Sequence, residues 1–294
     1  MVAQLPQSPM LDAAVTAETT LSTFVASDGD NLAVQDWPLE PGQRLRGVVI
    51  VVHGLGEHAG RYDHVARRFN HWGFAVRSYD QYGHGESGGP RGVITSDDRL
   101  LDDLADIVDS TRLRMKEGTP LILLGHSMGG AVASQFVAMN LRPMEALILS
   151  SPALDPGLNA FQKLLLAILP KIAPNLAVGN GLDVMKISHD QAVIDDYKKD
   201  RLVHDRISPR LGRYIANAGA AVLAATPRWT LPTLLMYAGA DALVNPEGSR
   251  QFSQTAPKKV VTSRCFDDLY HEIFNELEAE NVFAQLKAWL DERF

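Results

Sequence analysis

The hydrophobic pattern of the chain changes period repeatedly. Residues 46–53, "RGVVIVVH", form a continuous β-branched run, which is typical of a strand buried on both faces of a parallel sheet. Residues 61–73 follow with apolar side chains three or four positions apart and end at Gly73, which predicts an amphipathic helix. A buried strand followed by a helix indicates a βαβ unit.

The same alternation recurs along most of the chain. The other predicted strands cover 74–80, 120–126, 146–152, 233–241 and 258–266, and the other predicted helices cover 97–116, 128–140, 247–255 and 274–292. Residues 23–37 contain two short strand-like runs around "DGDN" and predict a hairpin. The expected fold is therefore α/β, with a doubly wound, mostly parallel sheet.

Residues 153–230 interrupt this rhythm. They are helix-like, contain no obvious buried strand and include the strongly apolar segment 161–174. This segment is either an ordinary amphipathic core helix or part of a lid that lines an apolar pocket and touches lipid surfaces. We expect a core made of 1–152 and 231–294, with 153–230 inserted as a helical cap and a loose polar lead-in over 1–18.

Composition narrows the class of protein. The 294 residues are 46% hydrophobic and 21% charged, which suits a sizeable core rather than disorder. A formal charge of −7 without a long Lys/Arg run argues against nucleic acid as the main partner. The single cysteine, Cys265, excludes an internal disulfide and fits a reducing compartment. With neither a secretory signal nor an apolar run of about 18 residues, we expect a cytoplasmic location without a membrane span.

The pentapeptide "GHSMG", residues 125–129, matches G-x-S-x-G between a predicted buried strand and a predicted helix. This is the setting of a nucleophile elbow, in which a sharp turn exposes a serine hydroxyl. The helix N-terminus offers backbone N–H groups to developing negative charge. The alternatives are a packing serine in a glycine-rich turn and a phosphate-binding loop, which would need a G-K-[ST] sequence that is absent. We interpret Ser127 as a nucleophile.

A nucleophilic serine needs a histidine base, which follows an elbow of this kind later in the chain, after an acidic residue. Three histidines follow Ser127, namely His189, His204 and His271. The first two lie in the 153–230 insertion. His271, in "DDLYHEIF", follows the last predicted strand, where a base at the sheet edge is expected. We interpret it as the base rather than as a solvated loop residue.

The acidic partner should follow the preceding strand. Asp241 does so in "LLMYAGADALV", although an aspartate here could also form an Asx-turn or a helix cap. Asp267 and Asp268 are rivals, but they lie only a few residues before His271 on the same loop. Asp80, also at a strand end, precedes the serine and is predicted to hold the loop "DQYGHGES" by hydrogen bonds.

Acyl transfer also needs N–H donors for the tetrahedral oxyanion. The backbone of Met128, directly after the serine, is one candidate, and the backbone of Leu55, in the loop "VVHGLGEHAGRY" after the first parallel strand, is the other. A metal site of His53, Glu57 and His58 is the alternative use of this loop. It lacks the helical H-E-x-x-H spacing, so we expect His53 to fix the loop shape.

Six motifs, in order, carry a resemblance to a known family: "HGLGEHAGRYDHVA", "DQYGHGESGG", "GHSMGG", "SSPALD", "GADALVNPEGS" and "YHEIFNE". Together they resemble the α/β-hydrolases and, within them, the monoacylglycerol lipase and lysophospholipase family, from about residue 22 to 294. The resemblance implies the α/β-hydrolase fold. It carries the catalytic roles onto Ser127, Asp241 and His271, and the oxyanion donors onto Leu55 and Met128.

The resemblance also implies that 153–230 is a helical cap whose segment 158–180 faces lipid and guards the pocket. Within that segment we expect Leu164, Leu165 and Ile168 to bind substrate. The chemistry of the triad requires neither a metal nor an organic cofactor. The expected partner is a small lipid ester, with peripheral, reversible membrane contact through the cap and no nucleic acid.

The expected activity is hydrolysis of a carboxylic ester through an acyl-enzyme, with monoacylglycerol as substrate. Rivals with the same machinery are a lysophospholipase, a short-chain carboxylesterase and a peptidase that holds an amino terminus with Asp195, Asp196 or Asp200. A binding protein on a dead hydrolase would lack a triad member, and none is missing. Dehalogenases and epoxide hydrolases of this fold require an aspartate nucleophile, which Ser127 does not supply.

Overall fold

The computed structural model describes residues 18–294, apart from the side chains of Phe161 and Lys163, and contains an eight-stranded mixed sheet. Its strands are β1 Thr20–Val25, β2 Asn31–Trp37, β3 Gly47–Val52, β4 Phe74–Tyr79, β5 Leu121–His126, β6 Ala146–Ser150, β9 Thr233–Ala238 and β10 Val261–Phe266. They lie in the order β1-β2-β4-β3-β5-β6-β9-β10. The first two form the predicted antiparallel hairpin, and all pairs from β4 to β10 are parallel. The α/β fold with a mostly parallel sheet is thereby confirmed.

The central strand β3 is buried along its whole length because the sheet is covered on both faces. Val48, Ile50 and Val52 belong to one hydrophobic cluster, and Val49 and Val51 belong to a second one on the other face. Side chains of a strand point alternately to opposite faces, so an uninterrupted β-branched run has a buried position for every residue. This explains why the run in the sequence shows no polar alternation.

Eight α-helices accompany the sheet within the described residues. They are α1 Asp63–His71, α2 Arg99–Arg112, α3 Ser127–Ala138, α4 Ala160–Ile172, α5 Gln191–Lys199, α6 Pro209–Ala225, α7 Pro246–Thr255 and α8 Ala279–Arg293. Buried residues of α1 and α8 belong to the cluster around Val49, and those of α2, α3, α6 and α7 belong to the cluster around Val48. The predicted helices differ from these only at their ends, except that α8 begins later, after a 3-10 turn at Ile273–Asn275.

The segment between β6 and β9 contains α4, α5, α6 and a short antiparallel pair, β7 Val178–Gly179 with β8 Arg206–Ile207. Helix α6 packs against α3, and its buried side chains belong to the larger core cluster. Helix α4 contacts α6. Backbone hydrogen bonds join this segment to core loops, among them those from His204 N–H to Gly56 O (2.9 Å), from Ser208 N–H to Gly92 O (2.8 Å) and from Glu272 N–H to Ile187 O (2.8 Å). The carboxyl ends of the parallel strands meet beneath it, at one edge of the sheet, where α/β proteins bind ligands.

Candidate active site

Ser127 is the first residue of α3 and follows β5 without an intervening loop. Its φ is +52°, in the left-handed region that non-glycine residues rarely adopt. Such a backbone strain is typical of functional turns, and it is the conformation that a nucleophile elbow requires. The neighbouring His126 is extended, with φ −110° and ψ 136°, so the chain reverses sharply at the serine.

The glycines of the elbow permit a close approach between strand and helix. A Cβ atom at Gly129 would lie 2.1 Å from Val52 O and 2.4 Å from His53 O. A Cβ atom at Gly125 would lie 2.5 Å from Gly129 O. Both distances are far below van der Waals contact, so only glycine allows α3 to start directly against the end of β3.

His271 and Asp241 form a short hydrogen bond, with 2.6 Å between Nδ1 and Oδ2. Both side chains are buried, at 6% and 3% exposure. The other carboxylate oxygen of Asp241 accepts the N–H groups of Leu243 and Val244, each at 2.9 Å. The loop after β9 thus fixes the carboxylate, and the carboxylate fixes the ring that follows β10.

The rival residues of the sequence analysis lie elsewhere. Asp267 and Asp268 are exposed. His189 pairs with Glu276, at 2.9 Å between Nδ1 and Oε1. The ring of His204 packs 4.8 Å from that of His84. Only Asp241 is hydrogen-bonded to His271 among these aspartates in the described part of the chain.

The electrostatic surroundings of His271 stabilise its protonated form. Burial lowers the pKa of the ring, but the charge of Asp241 and its hydrogen bond, together with Glu272 and Glu57, raise it, and the net effect is a pKa above 6.5. A neutral ring that donates from Nδ1 carries its lone pair on Nε2. The ring is therefore oriented to accept a proton at Nε2 and to keep it while a negative charge develops nearby.

Two cavities meet at Ser127. A small one, of about 30 Å³, contains Ser127 and His271 in its lining. The rest of its lining is mixed, with polar Glu57, His126, Tyr197 and Glu272, apolar Leu55, Leu182, Val184, Ile187 and Leu243, and Gly54. A larger one, of about 550 Å³, is lined by Ser127 and by mostly apolar side chains of the cap and core. The serine thus lies where a small cavity of mixed lining meets a larger, mostly apolar one, which leaves space on two sides of an ester bound at its hydroxyl.

The loop after β3 approaches the serine closely. A Cβ atom at Gly54 would lie 3.2 Å from the Cβ atom of Ser127. Leu55 and Met128 line the larger cavity on either side of that serine. Their backbone N–H groups are thus candidates for the oxyanion donors that acyl transfer requires.

A carboxylate that the sequence analysis treated only as a metal-ligand candidate fixes this loop. Glu57 accepts the Gly54 N–H at 2.6 Å and the Tyr62 hydroxyl at 2.7 Å. Arg61 donates to Glu57 at 2.6 Å. Burial raises the pKa of Glu57, but Arg61 and nearby histidines lower it to about 2. The glutamate is therefore ionised across the working range of the protein.

The other polar residues of this edge stabilise loops. His53 accepts the Gln81 N–H at Nε2 (2.9 Å), and burial lowers the pKa of its ring. Asp80 accepts the N–H groups of Ala59 (2.8 Å) and Glu86 (2.7 Å). Within residues 18–294, no group of three His, Cys, Asp or Glu side chains is arranged to hold a metal ion.

The three cap residues predicted to bind substrate do not share one environment. Leu165 lines the larger cavity, together with Leu166 and Leu169. Leu164 and Ile168 are exposed, at 55% and 43%, and are not among the lining residues. Periodicity identified the helix, but the side of α4 that faces the cavity depends on how it packs against α6. On α4, the lining residues that the sequence did not reveal are Gln162, Leu166 and Leu169.

The fold and this arrangement of serine, histidine and aspartate define an α/β-hydrolase. The sequence matches the Hydrolase_4 family profile (serine aminopeptidase, S33) over residues 43–278. The chain belongs to this family, and within it to the serine esterases and lipases of the monoglyceride lipase group.

Several relatives support this assignment. The chain is 32% identical to a monoacylglycerol lipase of Mycolicibacterium smegmatis, over 91% of this chain and 95% of the relative. It is 32% identical to phospholipase YtpA of Bacillus subtilis, over 83% of this chain and 95% of that relative. It also spans 29% of a longer uncharacterized abhydrolase domain-containing protein of Dictyostelium discoideum, at 32% identity.

The crystal structure of a monoacylglycerol lipase from Paleococcus ferrophilus superimposes with a TM-score of 0.78 at 32% identity. It covers 94% of this chain and all of that one. At this coverage the similarity includes most of residues 153–230 as well as the sheet.

Proposed function

We propose that the protein hydrolyses monoacylglycerols to a fatty acid and glycerol, with Ser127 as nucleophile, His271 as base and Asp241 as the residue that orients the base. The observation that carries this proposal is the 2.6 Å contact between buried His271 and Asp241 at the cavity that also contains Ser127. His271 takes the serine proton as the hydroxyl attacks the ester carbonyl, and later gives it to the leaving alcohol. Water, activated by the same ring, then releases the fatty acid.

The backbone N–H groups of Leu55 and Met128 are the proposed oxyanion donors. Their place beside Ser127 and the tight contact of Gly54 with that serine support this role. Met128 lies in the first turn of α3, where backbone N–H groups point out of the helix and its dipole favours negative charge. Donors fixed before the reaction stabilise the tetrahedral oxyanion without reorganising.

The acyl chain is proposed to occupy the larger cavity. Its volume of about 550 Å³ is typical of ligand pockets. Leu165, Leu166 and Leu169 of α4 supply apolar contacts from the cap, and Ile215 of α6 supplies one from the core side. The cap over 153–230 is therefore proposed as the element that selects the acyl chain, with α6 as its anchor in the core.

The alcohol is proposed to lie at the small cavity, on the His271 side of the serine. Glu57 and Glu272, which are part of its lining, are already bound by Arg61, so the Tyr197 hydroxyl is the group proposed to meet the hydroxyl groups of glycerol. Arg61, the nearby cation, is already bound by Glu57 and Glu272. An anionic headgroup would therefore meet two carboxylates without an uncommitted positive partner, and this favours a neutral alcohol.

Peripheral contact with lipid surfaces is proposed for the outer side of α4. Leu164, Ile168 and Ile172 are exposed and follow one another at four-residue intervals, so they form one apolar stripe on the helix. Exposed apolar stripes of this kind bind membrane interfaces. Within residues 18–294, the helices are too short or too polar to cross a bilayer.

A lysophospholipase is the second candidate, because a phospholipase is among the relatives of the same length. An amidase or peptidase activity has less support. Asp195 and Asp196 are exposed, and Asp200 binds His58 at 2.7 Å. None of these aspartates lines either cavity at Ser127.

The test is hydrolysis of monoacylglycerols from short to long chain, beside lysophosphatidylcholine, short p-nitrophenyl esters and an aminoacyl amide. We expect the highest kcat/KM for medium or long monoacylglycerols. Faster turnover of lysophosphatidylcholine would establish the second candidate instead. Activity on short activated esters alone would leave a carboxylesterase and refute the role of the large cavity.

A further inference from the structure

A chain of three buried charges joins the two loops that contain the proposed catalytic groups. Arg61 Nη1 lies 2.6 Å from Glu57 Oε2 and 2.7 Å from Glu272 Oε1, and its Nη2 lies 2.7 Å from Glu272 Oε2. The guanidinium therefore makes a bidentate pair with Glu272 and a further bond to Glu57. We name Glu57, Arg61 and Glu272 the charge clamp.

Each end of the charge clamp lies beside a proposed catalytic element. Glu57 accepts the N–H of Gly54, which directly precedes Leu55. Glu272 directly follows His271 in the chain. Side chains from two loops far apart in sequence are thus connected through one guanidinium.

Both carboxylates have several partners, which restricts their orientation. Glu57 also accepts the Tyr62 hydroxyl at 2.7 Å. Glu272 accepts Asn275 Nδ2 at 2.7 Å, and its backbone N–H donates to Ile187 O of the cap at 2.8 Å. The side chains of the charge clamp are 4%, 11% and 7% exposed for Glu57, Arg61 and Glu272.

Burial of this kind is costly, so stability alone does not explain it. Removing charges from water costs several kcal/mol per ion, and apolar residues of similar volume often serve stability equally well. What a bidentate, charge-assisted pair adds is a fixed geometry. A displacement of about 1 Å among catalytic groups can cost about 100-fold in rate, so a fixed geometry is valuable at this place.

We propose that Glu272 is a positioning residue that, through Arg61 and Glu57, fixes the loop of His271 relative to the loop of Leu55. The inference rests on the proposed function, because it assigns a purpose to the spacing of the proposed base and oxyanion donor. In this proposal Glu272 contacts neither the acyl chain nor the serine. Its action is transmitted through Arg61.

The charge clamp also contributes to the electrostatics of the base. The carboxylates of Asp241, Glu57 and Glu272 and the ring of His126 face His271. The guanidinium of Arg61 is bound to two of these carboxylates, Glu57 and Glu272. Loss of the Glu272 charge removes an attraction for the imidazolium. The pKa of His271 therefore falls in such a variant.

The experiment compares Glu272→Gln with Asp103→Asn, which disrupts another buried ion pair, to Arg99, away from the site. For Glu272→Gln we expect kcat to fall by about 100-fold, with KM within threefold, and the acidic limb of the pH profile to move to lower pH. Arg61→Met removes the link between the two carboxylates and should also lower kcat. Glu272→Asp keeps the charge, so the limb should stay in place. Asp103→Asn should leave kcat and the limb unchanged.

A Glu272→Gln protein with wild-type kcat and an unmoved acidic limb would overturn the proposal while leaving the ester hydrolase intact. So would a loss of kcat without any shift of the limb, because that pattern marks a structural role only. An NMR titration of the His271 ring gives the same pKa comparison without substrate. If the wild-type protein hydrolysed no ester, the proposed function would fail, and the titration would still test the link to Glu272.

Discussion

The rings of His126 and His271 lie 4.7 Å apart, but they differ in affinity for protons. The pKa of His126 is lowered to about 4, first by burial and then by repulsion from His271. The pKa of His271 is raised, because Asp241, Glu272 and Glu57 outweigh the effect of its burial. A proton that enters this pair is therefore held by His271, the ring that faces the serine site, and His126 stays neutral at physiological pH.

This difference predicts the pH dependence of the reaction. A histidine acts as base only when neutral, so kcat/KM should decrease as the pH falls through the raised pKa of His271, at a value above 6.5. The midpoint can be measured with a soluble ester whose own ionisation does not change in that range. A midpoint well below 6.5 would contradict the assignment of His271 in this environment.

Asp241→Asn tests the hydrogen-bond partner of His271. It removes the charge that favours the imidazolium and favours the wrong tautomer, which in serine hydrolases costs about 10⁴-fold in kcat. Any residual activity should have its acidic limb at lower pH than in the wild type. Asp267→Asn, an exposed aspartate of the neighbouring loop, is the control and should leave kcat and the limb unchanged.

Substitutions of Ser127 should affect activity and thermal stability differently, because this residue is both the proposed nucleophile and a residue with a strained backbone. Ser127→Ala should reduce ester hydrolysis by at least about 10³-fold, because only binding and the oxyanion donors remain, with little change in Tm. Ser127→Gly should be equally inactive. Its Tm should be equal to or above that of Ser127→Ala, because glycine adopts a φ of +52° without the cost that alanine meets.

Activity assays and thermal unfolding of the two variants distinguish these effects. Near-wild-type turnover in either variant would eliminate Ser127 as the nucleophile. A Ser127→Gly protein that unfolds clearly below Ser127→Ala would contradict the strain at the elbow.

The fold could be predicted from the sequence because each buried strand is recognisable from a few consecutive residues. The run at Gly47–Val52 and the elbow at Ser127 each contain their own signal, and the order serine, acid, histidine restricts the remaining choices. The charge clamp could not be predicted, because Glu57 and Glu272 are 215 positions apart in sequence and meet only after folding. The side of α4 that faces the cavity could likewise not be predicted, because leucines 164, 165 and 166 are chemically equivalent until the neighbouring element is known.

Acid should destabilise the protein below about pH 6.5, because several buried histidines bind protons more readily in the unfolded state. His53, His84, His126 and His204 have pKa values lowered mainly by burial, to about 4 for His126 and His204. Unfolding restores the ordinary value near 6.5, so the unfolded state binds more protons, and stability is lost as the pH falls from about 6.5 to about 4. The raised pKa of His271 acts oppositely, since its contribution is present below pH 6.5 and is lost as the pH rises through the folded value.

Thermal unfolding across this range gives the measurement. We expect Tm to be nearly constant above pH 7 and to decrease steadily below 6.5. His204→Gln, which removes the half-buried ring of the His84–His204 contact, should make the decrease shallower. His71→Gln changes an exposed ring and should not. A Tm that is flat down to pH 4.5 would contradict the prediction.

The two sides of α4 should have separable functions. Leu165→Asp introduces a charge into the lining of the large cavity. Losing the burial of one leucine side chain against an acyl chain costs about 1.5–3 kcal/mol, which is about 10- to 100-fold in kcat/KM. Long-chain monoacylglycerols should show this loss, whereas short-chain esters, which do not reach the cap, should be cleaved almost as before.

Leu164→Asp is the matched control, one residue away on the same helix but 55% exposed. It should leave kcat/KM for monomeric substrates within about twofold, since an exposed side chain away from the cavity has little effect on the chemistry. It should instead weaken binding to phosphatidylcholine vesicles, measured by sedimentation, because the exposed stripe of Leu164, Ile168 and Ile172 becomes charged. If both variants lost long-chain activity on monomeric substrate equally, α4 would act through cap stability rather than through two distinct faces.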